Sequence, residues 1–354
     1  MAYSIPSFEQ LVQIAFERHR AELPGTDALL WPNTEHPFVK TAAGLVQMNF
    51  EYLDWIRKQR FVTSSDGDQL DEHGAQFKMA RKPARRAHGT IVATGASLTV
   101  IPAGTVMARS DGLELRTIAE ATLFDGQAEI AGEAVETGGN GNSEGGTSLA
   151  LRSPIEGVTA IAIDADGFGG GADIEGDEAY RDRLLFRMAN PPRGGSLADY
   201  IVWASEVSPV RRVWTESLSY GPGTIGLWFM VDGSTANGIP GSVDVDDVRE
   251  HIDGLRPGTA TPIVAAPLPA SIDVTITGLV PTATQMELIA LEVAAVFRRR
   301  VAVSMRKQRF TLRNTVFWQA VARVTGQSTH RIVLPQDTEL PPGYIPVMGS
   351  ICYV

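Results

Sequence analysis

The chain has 354 residues, of which 44% are hydrophobic and 20% charged, and its formal net charge is −10. This composition is typical of folded proteins, and the length suffices for roughly two to four domains that each bury a core. No apolar run reaches the roughly 18 residues that a membrane span needs, and the negative charge disfavours broad binding to nucleic acids or acidic membranes, so we expect neither as a partner.

Residues 1–83 are predicted to form a helical region. Ser7 and Gln10 have the spacing of a capping box, and apolar residues then recur at helical spacing in three segments. Three helices with one apolar stripe each form a thin core, so we expect some of these faces to pack on a partner chain. His73 lies on the third stripe and is expected to be a packing residue with a satisfied ring, not a ligand.

Residues 84–166 are predicted to form a β domain, because the hydrophobic period changes from 3.6 to 2. Thr137–Gly146 is expected to be a flexible loop without side chains able to build a core. The predicted strands are His88–Ala93, Ser97–Ile101, Leu113–Ile118, Gln127–Val135 and Val158–Asp164.

The stretch from Gly167 to Val207 separates this β domain from an α/β pattern. A glycine run is predicted to end a strand, and Asp173 and Asp177 are candidate N-caps of the helix that follows. A second helix is expected to start at Ser196, whose spacing from an acidic residue three positions later is that of a cap.

The remaining sequence predicts two small, similar α/β sandwiches, residues 167–268 and 269–354, with a boundary at Pro267–Ser271. The whole chain is therefore predicted to be an α+β multidomain protein with a helical region, a β domain and two α/β domains. The expected strands are Arg212–Trp214, Thr224–Val231, Pro262–Ala266, Ile272–Leu279, His330–Leu334 and Tyr344–Val354. The expected helices are Val243–Ile252, a segment carrying Met286, Ile289, Val293 and Val296, and Asn314–Val324.

Residues at and near the start of the Gly167–Val207 stretch imitate two ligand-binding motifs. Gly167–Ala172 matches the dinucleotide fingerprint, but acidic residues occupy the helix start that would have to receive a pyrophosphate. Asp164, Asp166 and Glu175 fall at calcium-loop positions, but the fifth position is Phe168 and supplies no oxygen. We therefore predict no metal and no cofactor.

One catalytic motif is imitated as well. Ser143 lies in a G-x-S-x-G sequence with His251 and His330 downstream, but glycines flank it and no helix follows, as a nucleophile elbow would require. No catalytic residue is therefore assigned, and the chain is predicted not to be an enzyme.

A basic cluster is the sharpest charge feature of this acidic chain. Few aromatic residues accompany it, so a solvated helix end or a contact with an acidic neighbouring subunit is favoured over nucleic acid. The cluster consists of Arg298, Arg299, Arg300, Arg306, Lys307 and Arg309, with Arg313 close by.

Two further features concern the compartment. The amino terminus lacks the basic start and apolar core of a secretory signal, so none is expected. The only cysteine, Cys352, is expected to be a small apolar residue near a final strand of a protein folded in a reducing cytoplasm.

Taken together, several stretches make the chain resemble the baseplate J-like family of contractile-tailed bacteriophages. They occur in the order that the family shows and span nearly the whole sequence. The stretches are YSIPSFEQLV, RRAHGTIVATG, IPAGTVMARSDGLELRT, TGGNGNS, the joint GGGADIEGDEAYRDRLLFRMANPPRGGSLADYIVWASEV and RIVLPQDTELPPGYIPVMGSICYV.

The resemblance implies a structural wedge subunit of a tail baseplate, assembled in the bacterial cytoplasm around a central hub. Its amino-terminal helices would bundle with a second copy and a smaller wedge partner, its carboxy-terminal domains would join neighbouring wedges in a ring, and sheath-initiator proteins would also be partners. Contraction would follow from a conformational change relayed through the wedges. The candidate buried anchors of the bundle are Phe8, Leu11, Val12, Phe16, Leu45, Tyr52 and Ile56.

Two alternatives remain open at this point. The first is a receptor- or glycan-binding tail module, for which Tyr220 and Trp214 are the candidate aromatic residues. The second is a hydrolase that uses Ser143.

Overall fold

The computed structural model describes residues 4–25, 34–232, 237–326, 331–333 and 339–354. The chain divides into two compact units, with the boundary between Ala80 and Arg81. The described residues form a mixed α/β structure of helices, a closed β-barrel and smaller sheets. The predicted mixture of α and β structure is therefore confirmed, whereas the division into four domains stays a prediction.

The first unit contains three helices, α1 (Phe8–Glu22), α2 (Glu35–Gln59) and α3 (Gly67–Gln76). The predicted capping box begins α1: the amide of Gln10 donates to Ser7 Oγ (3.3 Å), and the amide of Ser7 donates to Gln10 Oε1 (2.9 Å). These two bonds satisfy amides that a helix start leaves without intrahelical partners.

The core of this unit is small, as expected. Helices α1 and α2 pack through Phe16 and Val39, and His19 on α1 lies 2.8 Å from the Glu35 carboxylate at the start of α2. His73 is half-buried with Nε2 at 2.9 Å from the Gln59 carbonyl, which agrees with the packing role expected for it. The most buried apolar side chains of the three helices are Leu11, Phe16, Val39, Ala43 and Leu70.

A closed six-stranded barrel begins the second unit, with strand order β1-β6-β4-β3-β7-β8. A separate two-stranded sheet pairs β2 with β5, and both of its strands come from segments between barrel strands in the sequence. The strands are β1 (His88–Gly95), β2 (Val100–Ile101), β3 (Val106–Ala108), β4 (Glu114–Thr117), β5 (Ala121–Thr122), β6 (Gln127–Ala134), β7 (Ser148–Leu151) and β8 (Val158–Gly169).

The barrel core follows from alternation along the strands. Ile91 on β1, Ile130 on β6 and Ile163 on β8 point inward and are at most 3% exposed. The short strands β3, β5 and β7 were not predicted, because two to four residues carry too little alternation to be distinguished from a loop. Strand β8 also extends to Gly169, past the predicted strand end.

The predicted flexible loop Thr137–Gly146 is instead held in place by hydrogen bonds. Arg109 donates from Nη1 to the Asn142 carbonyl (3.0 Å) and to Ser143 Oγ (2.6 Å), and residues 139–141 form one turn of 3₁₀ helix. Asn142 exchanges two hydrogen bonds of 2.9 Å with the backbone of Gly171. The segment is a loop between two strands, as predicted, but the sequence did not predict the hydrogen bonds that Arg109 and Asn142 make here.

Two helices follow the barrel, α4 (Asp177–Ala189) and α5 (Leu197–Glu206). The predicted N-caps of α4 are wrong, since Gly176 occupies the cap position and Asp177 is the first helical residue. An acidic residue there still favours the helix, because it faces the positive end of the helix dipole. The predicted start of α5 at Ser196 is confirmed, and its capping box is complete.

Two three-stranded sheets with the same pattern complete the chain. In each sheet the central strand has one parallel and one antiparallel neighbour. The first sheet and its helix consist of β9 (Val210–Ser217), β10 (Thr224–Val231), α6 (Ser242–Leu255) and β11 (Thr261–Ala265). The second set consists of β12 (Leu268–Thr277), α7 (Ala283–Arg300), α8 (Asn314–Thr325), β13 (Arg331–Val333) and β14 (Tyr344–Tyr353).

Two details of this region differ from the sequence analysis. The segment Pro267–Ser271, given above as a boundary, is mostly strand, because Leu268–Ser271 pair with β14. Cys352 lies on β14 as expected, but it is exposed, not buried. The expected strand limits His330 and Leu334 lie outside the described residues, so only Arg331–Val333 of that strand is seen.

The two α/β modules share a core. Along β10, Leu227 and Phe229 face α5 and α6, whereas the alternate residues Trp228 and Met230 pack against the core built on α7, α8 and β12. The first sheet is therefore covered by its own helices on one face and by the second module on the other. Each sandwich is incomplete by itself.

Strand β9 reinforces this contact with three alternate residues. The guanidinium of Arg212 donates to the carbonyls of Arg298 (2.9 Å) and Val301 at the end of α7, and burial lowers its pKa. Trp214 packs against the second core, and Glu216 accepts the amides of Arg306 (3.3 Å) and Lys307 (2.6 Å).

The barrel is joined to α6 by acidic residues of that helix. Asp244 Oδ1 accepts the amide of Gly170 (2.9 Å), and Asp247 contacts both Arg85 (3.2 Å) and His88 (3.3 Å). The hydrogen bond that His88 donates to Asp247 raises the pKa of His88, and burial raises the pKa of Asp244. The barrel, α6 and the two sheets thus form one continuous body. Among the described residues no helix is long and apolar enough to cross a membrane.

Replacing Glu216 with Ala is expected to destabilise the second unit by about 1–3 kcal/mol, because two backbone amides lose a buried acceptor. The free energy of unfolding in urea measures this loss. Glu339→Ala is the matched control, since the Arg309–Glu339 pair is exposed, and it should leave the urea midpoint unchanged. Equal midpoints for Glu216→Ala and the wild type would contradict the role assigned to Glu216.

The raised pKa of His88 predicts a pH-dependent contribution to stability. A folded-state pKa above the unfolded value means that the His88–Asp247 interaction stabilises fully below about pH 6.5 and is lost as the pH rises through the folded pKa. His88→Gln should therefore lower Tm more at pH 5.5 than at pH 8.5. In an Asp247→Asn background this pH dependence should disappear, and its persistence would show that another group causes it.

Candidate assembly surfaces

Helix α2 is apolar on two faces. Its inner face contributes Val39 and Ala43 to the small core, whereas its outer face leaves large apolar side chains exposed. Tyr52 and Trp55 stack on this outer face with ring centroids 5.8 Å apart. The exposed large residues of α2 are Phe38, Leu45, Val46, Met48, Tyr52, Leu53, Trp55 and Ile56.

The spacing of these exposed residues is that of a helix-pairing seam. Phe38, Leu45 and Tyr52 follow one another at intervals of seven residues, and Met48 and Trp55 occupy the intervening positions. A repeat of alternating three and four residues keeps such side chains on one side of a helix, where a second helix can pack against them. Phe38, Leu45 and Tyr52 are each at least 59% exposed, so the seam has no partner in the described part of this unit.

The seven predicted anchors therefore divide into two groups. Leu11 and Phe16 are buried in the unit's own core, and Val12 packs against it. The other four are exposed and available to a partner: Phe8 at 40%, Leu45 at 59%, Tyr52 at 61% and Ile56 at 43%.

The basic cluster lies on the second unit in two groups. Arg298, Arg299 and Arg300 end α7, where positive charge complements the helix dipole. The other three lie in the segment between α7 and α8. All six side chains are exposed: Arg298, Arg299, Arg300, Arg306, Lys307 and Arg309.

The six cations differ in whether a carboxylate already neutralises them. Arg309 contacts Glu339 (3.6 Å) and the Leu340 carbonyl (3.1 Å). Within the described residues none of the other five pairs with a carboxylate side chain: Arg306 lies over the Tyr220 ring at 5.8 Å, and Lys307 Nζ donates to Ser217 Oγ (3.1 Å). Five of the six cations are therefore available to an acidic partner.

A cleft of about 860 Å³ lies beside the first of these groups. It is lined by α4, α5, β9 and the carboxy-terminal end of α7, including Arg298 and Arg299. Both signs of charge occur along its walls, since Asp182 and Glu178 on α4 line it together with the arginines. The charges that line the cleft therefore do not share one sign, as a site selective for a small anion or cation would require.

A buried ionic network forms the base of this cleft, and the sequence analysis did not find it. Glu175 is 8% exposed and receives two hydrogen bonds from Arg183 (2.6 and 3.0 Å) and one from the amide of Lys82 (3.0 Å). Lys82 Nζ donates to the Val210 carbonyl (2.7 Å), and burial lowers its pKa to about 8. All these partners are satisfied within the protein, which indicates a structural role.

The imitated ligand motifs have structural explanations. Gly167–Gly169 belong to β8 and α4 begins only at Asp177, so the glycine run does not open a helix as the fingerprint requires. Phe168 points into the barrel core and Glu175 is bound to Arg183. In the part of the chain that is described, no three His, Cys, Asp or Glu side chains are arranged to hold a metal ion.

Among the described residues, the contacts of the candidate nucleophile Ser143 include no histidine or carboxylate that could act as a base. Ser143 Oγ accepts a hydrogen bond from Arg109 (2.6 Å) and lies 3.3 Å from the Gly141 carbonyl. His251 is on α6 and contacts Glu206 (3.1 Å), whereas His330 lies outside the described residues. His251 is therefore engaged away from Ser143.

The two aromatic candidates for glycan binding occupy different environments. Trp214 is half-buried in the contact between the modules, with the Arg212 guanidinium 4.7 Å from its ring centroid. Tyr220 is 55% exposed, but Arg306 covers its ring. The structure does not bring them together as a sugar platform.

Comparisons with known proteins identify the family. The profile described as "Baseplate J-like protein barrel domain" matches residues 90–171, and "Baseplate J-like central domain" matches residues 192–266. The chain is 35% identical over 260 residues to the "Baseplate protein gp47" of Escherichia phage Mu, covering 72% of this chain and 71% of that one. It is 34% identical over 257 residues to the "Mu-like prophage FluMu protein gp47" of Haemophilus influenzae, with the same coverage of 72% and 71%.

A solved structure, described as the anti-feeding prophage baseplate, contains a chain with a TM-score of 0.41 and 12% identity, and the match covers 97% of this chain and 91% of that one. The family matches include the barrel and the central α/β region, and the Mu relative aligns over more than two thirds of both chains. The resemblance drawn from the sequence is confirmed: the chain belongs to the baseplate J-like family.

Proposed function

We propose that this protein is a structural subunit of a contractile tail baseplate, and specifically a wedge subunit assembled around the central hub. Family membership supports the baseplate assignment, since the relative in phage Mu is itself a baseplate protein. The satisfied hydrogen bonds around Ser143 and Glu175 favour a structural role over a catalytic one.

The outer face of α2 is the observation that carries the wedge role. A monomer rarely exposes this many large apolar side chains along one helix, because their contact with water is unfavourable. A seam with seven-residue spacing fits other helices best. We infer that α2 bundles with a second copy and with a smaller wedge partner, and that Phe8, Leu45, Tyr52 and Ile56 are the buried anchors of this bundle.

The proposal extends to the rest of the assembly. The carboxy-terminal module would join neighbouring wedges in a homo-oligomeric ring through its cations, with hub and sheath-initiator proteins as further neighbours. The subunit would assemble in the host bacterial cytoplasm and reside in the tail baseplate of the virion.

Signal transmission in this scheme is mechanical. The barrel, α6 and both sheets are joined by buried contacts, so a displacement at one end is passed on as a rigid-body movement. A receptor signal would thus change the contacts between subunits, widen the ring and release the sheath to contract.

Charging the outer face of α2 should block assembly. The double variant Leu45→Glu/Tyr52→Glu would place two carboxylates in the dry core of the bundle, where an unpaired charge is strongly unfavourable. We expect at least about a tenfold loss of wedge complex co-purified from producing cells, with no change in the melting curve of the isolated chain. Leu218→Glu/Val280→Glu is the matched control, because these residues are 55% and 99% exposed but lie outside α2. An intact wedge complex from the α2 variant would refute the bundle.

The position in the particle tests the function itself. Gold-labelled antibody against this chain, imaged on purified tail particles, is expected only at the distal end of the tube, where the sheath starts. Label on fibre tips would favour a receptor-binding module, and particles without label would refute the baseplate role.

A further inference from the structure

The second unit has an uneven distribution of charge. Acidic side chains outnumber basic ones in residues 84–166, which form the barrel, whereas basic side chains outnumber acidic ones in residues 269–354. Opposite fields on two parts of a rigid subunit favour contacts between copies that are oriented head to tail.

The acidic residues of the barrel include a set on one outer face. Glu129 on β6, Val92 on β1 and Ala162 on β8 form a row across three paired strands. Asp164 lies two residues beyond Ala162 and therefore points to the same outer side. Ile163 between them points into the core. Glu129 and Asp164 thus mark one acidic surface, which we call the barrel face.

Further acidic residues extend the barrel face along β8. Asp166 is exposed close to Asp164, and Glu144 is exposed in the loop that hydrogen-bonds to β8 through Gly146 (3.0 Å to the Ile163 carbonyl). None of these four acidic residues pairs with a basic side chain among the described residues, unlike Glu133, which contacts Arg86 and Arg116.

The side chains between these acidic residues are small. Outward positions on the three strands carry Thr90, Val92, Ala131 and Ala162, so bulky groups do not shield the carboxylates. Arginine suits such a surface, because its planar fork can donate two parallel hydrogen bonds to one carboxylate.

We propose that the barrel face of one copy binds the free cations of the next copy, those of Arg298, Arg299, Arg300, Arg306 and Lys307. The contact is head to tail, and such contacts close into a ring when the rotation between copies allows it. The inference rests on the proposed function for the ring, and it names the surface that the carboxy-terminal module contacts. The partner is a second copy, because the same chain carries both the unpaired carboxylates of the barrel face and the cations that complement them.

The test uses zero-length carbodiimide coupling, which joins a carboxylate to an amine only where the two are in contact. The full chain is mixed in ¹⁴N and ¹⁵N forms, so that mass spectrometry distinguishes coupling between copies from coupling within one. Lys307 supplies the amine of the basic cluster. The expected product joins Lys307 of one copy to Glu129, Asp164, Asp166 or Glu144 of another, and its yield should fall as salt is added.

Charge reversal on either side provides the specific variants. Arg299→Glu/Arg300→Glu and Glu129→Lys/Asp164→Lys should each lower the yield at least about tenfold, because like charges then face one another. A mixture of the two variants should recover the yield to within about threefold, since the unchanged cations of one variant then meet the unchanged barrel face of the other. Glu120→Lys/Glu136→Lys changes the net charge of the barrel equally at exposed acidic residues outside this set and should leave the yield unchanged.

Three outcomes would overturn the contact. These are the absence of products between copies, coupling of Lys307 only to acidic residues outside the barrel face, and a mixture of variants that does not recover. Coupling of Lys307 to another protein when the same reaction is run on purified tail particles would likewise show that the occupant is not a second copy. Gold labelling reports separately on the baseplate role, so failure of this contact leaves the proposed function standing.

Discussion

The contact that β9 makes with the carboxy-terminal module sets the geometry of the second unit. Three alternate residues act together: Arg212 caps the last carbonyls of α7, Trp214 enters the second core, and Glu216 binds two successive amides. Two of these contacts are directional hydrogen bonds and the third is apolar packing, so together they hold the two sheets in one relative orientation. The exposed cations at the end of α7 and after it are held in fixed positions as a result.

This arrangement explains why the resemblance between the two α/β modules is incomplete. Both sheets have a central strand with one parallel and one antiparallel neighbour. The first sheet has two large aromatic residues on the face away from its helices, Trp214 and Trp228, and these pack against the second core. The two modules therefore share a strand arrangement, but their facing surfaces differ because they pack against each other.

Local signals made most elements predictable from the sequence. Strand β10 was predicted with its observed limits, and the caps at Ser7 and Ser196 were found because three-residue spacing is a local property. That the two modules share a core was not predictable, because it depends on which face of β10 meets a segment far along the chain. The same holds for the bonds from Arg109 to the glycine-rich loop, because their acceptors lie more than 30 residues away, as in the bond to Asn142.

The candidate surfaces show a related limit. Apolar periodicity located the outer residues Leu45, Tyr52 and Ile56, but it could not separate them from Leu11 and Phe16, which fill the core. Only the packing of α1 on α2 decides which stripe is used internally. In the same way, composition showed that Arg298–Arg309 is basic, but it could not show that Glu339 already contacts Arg309.

Closure of the barrel has a consequence for crowded assemblies. An open sheet presents unpaired amides and carbonyls along its rim, and these can add any extended segment with little regard to its sequence. The six barrel strands are hydrogen-bonded in a circle, so their backbone groups are used within the protein. Neighbouring copies at high local concentration can therefore recognise the barrel only by its side chains, which makes the contact selective and protects the subunit from strand exchange.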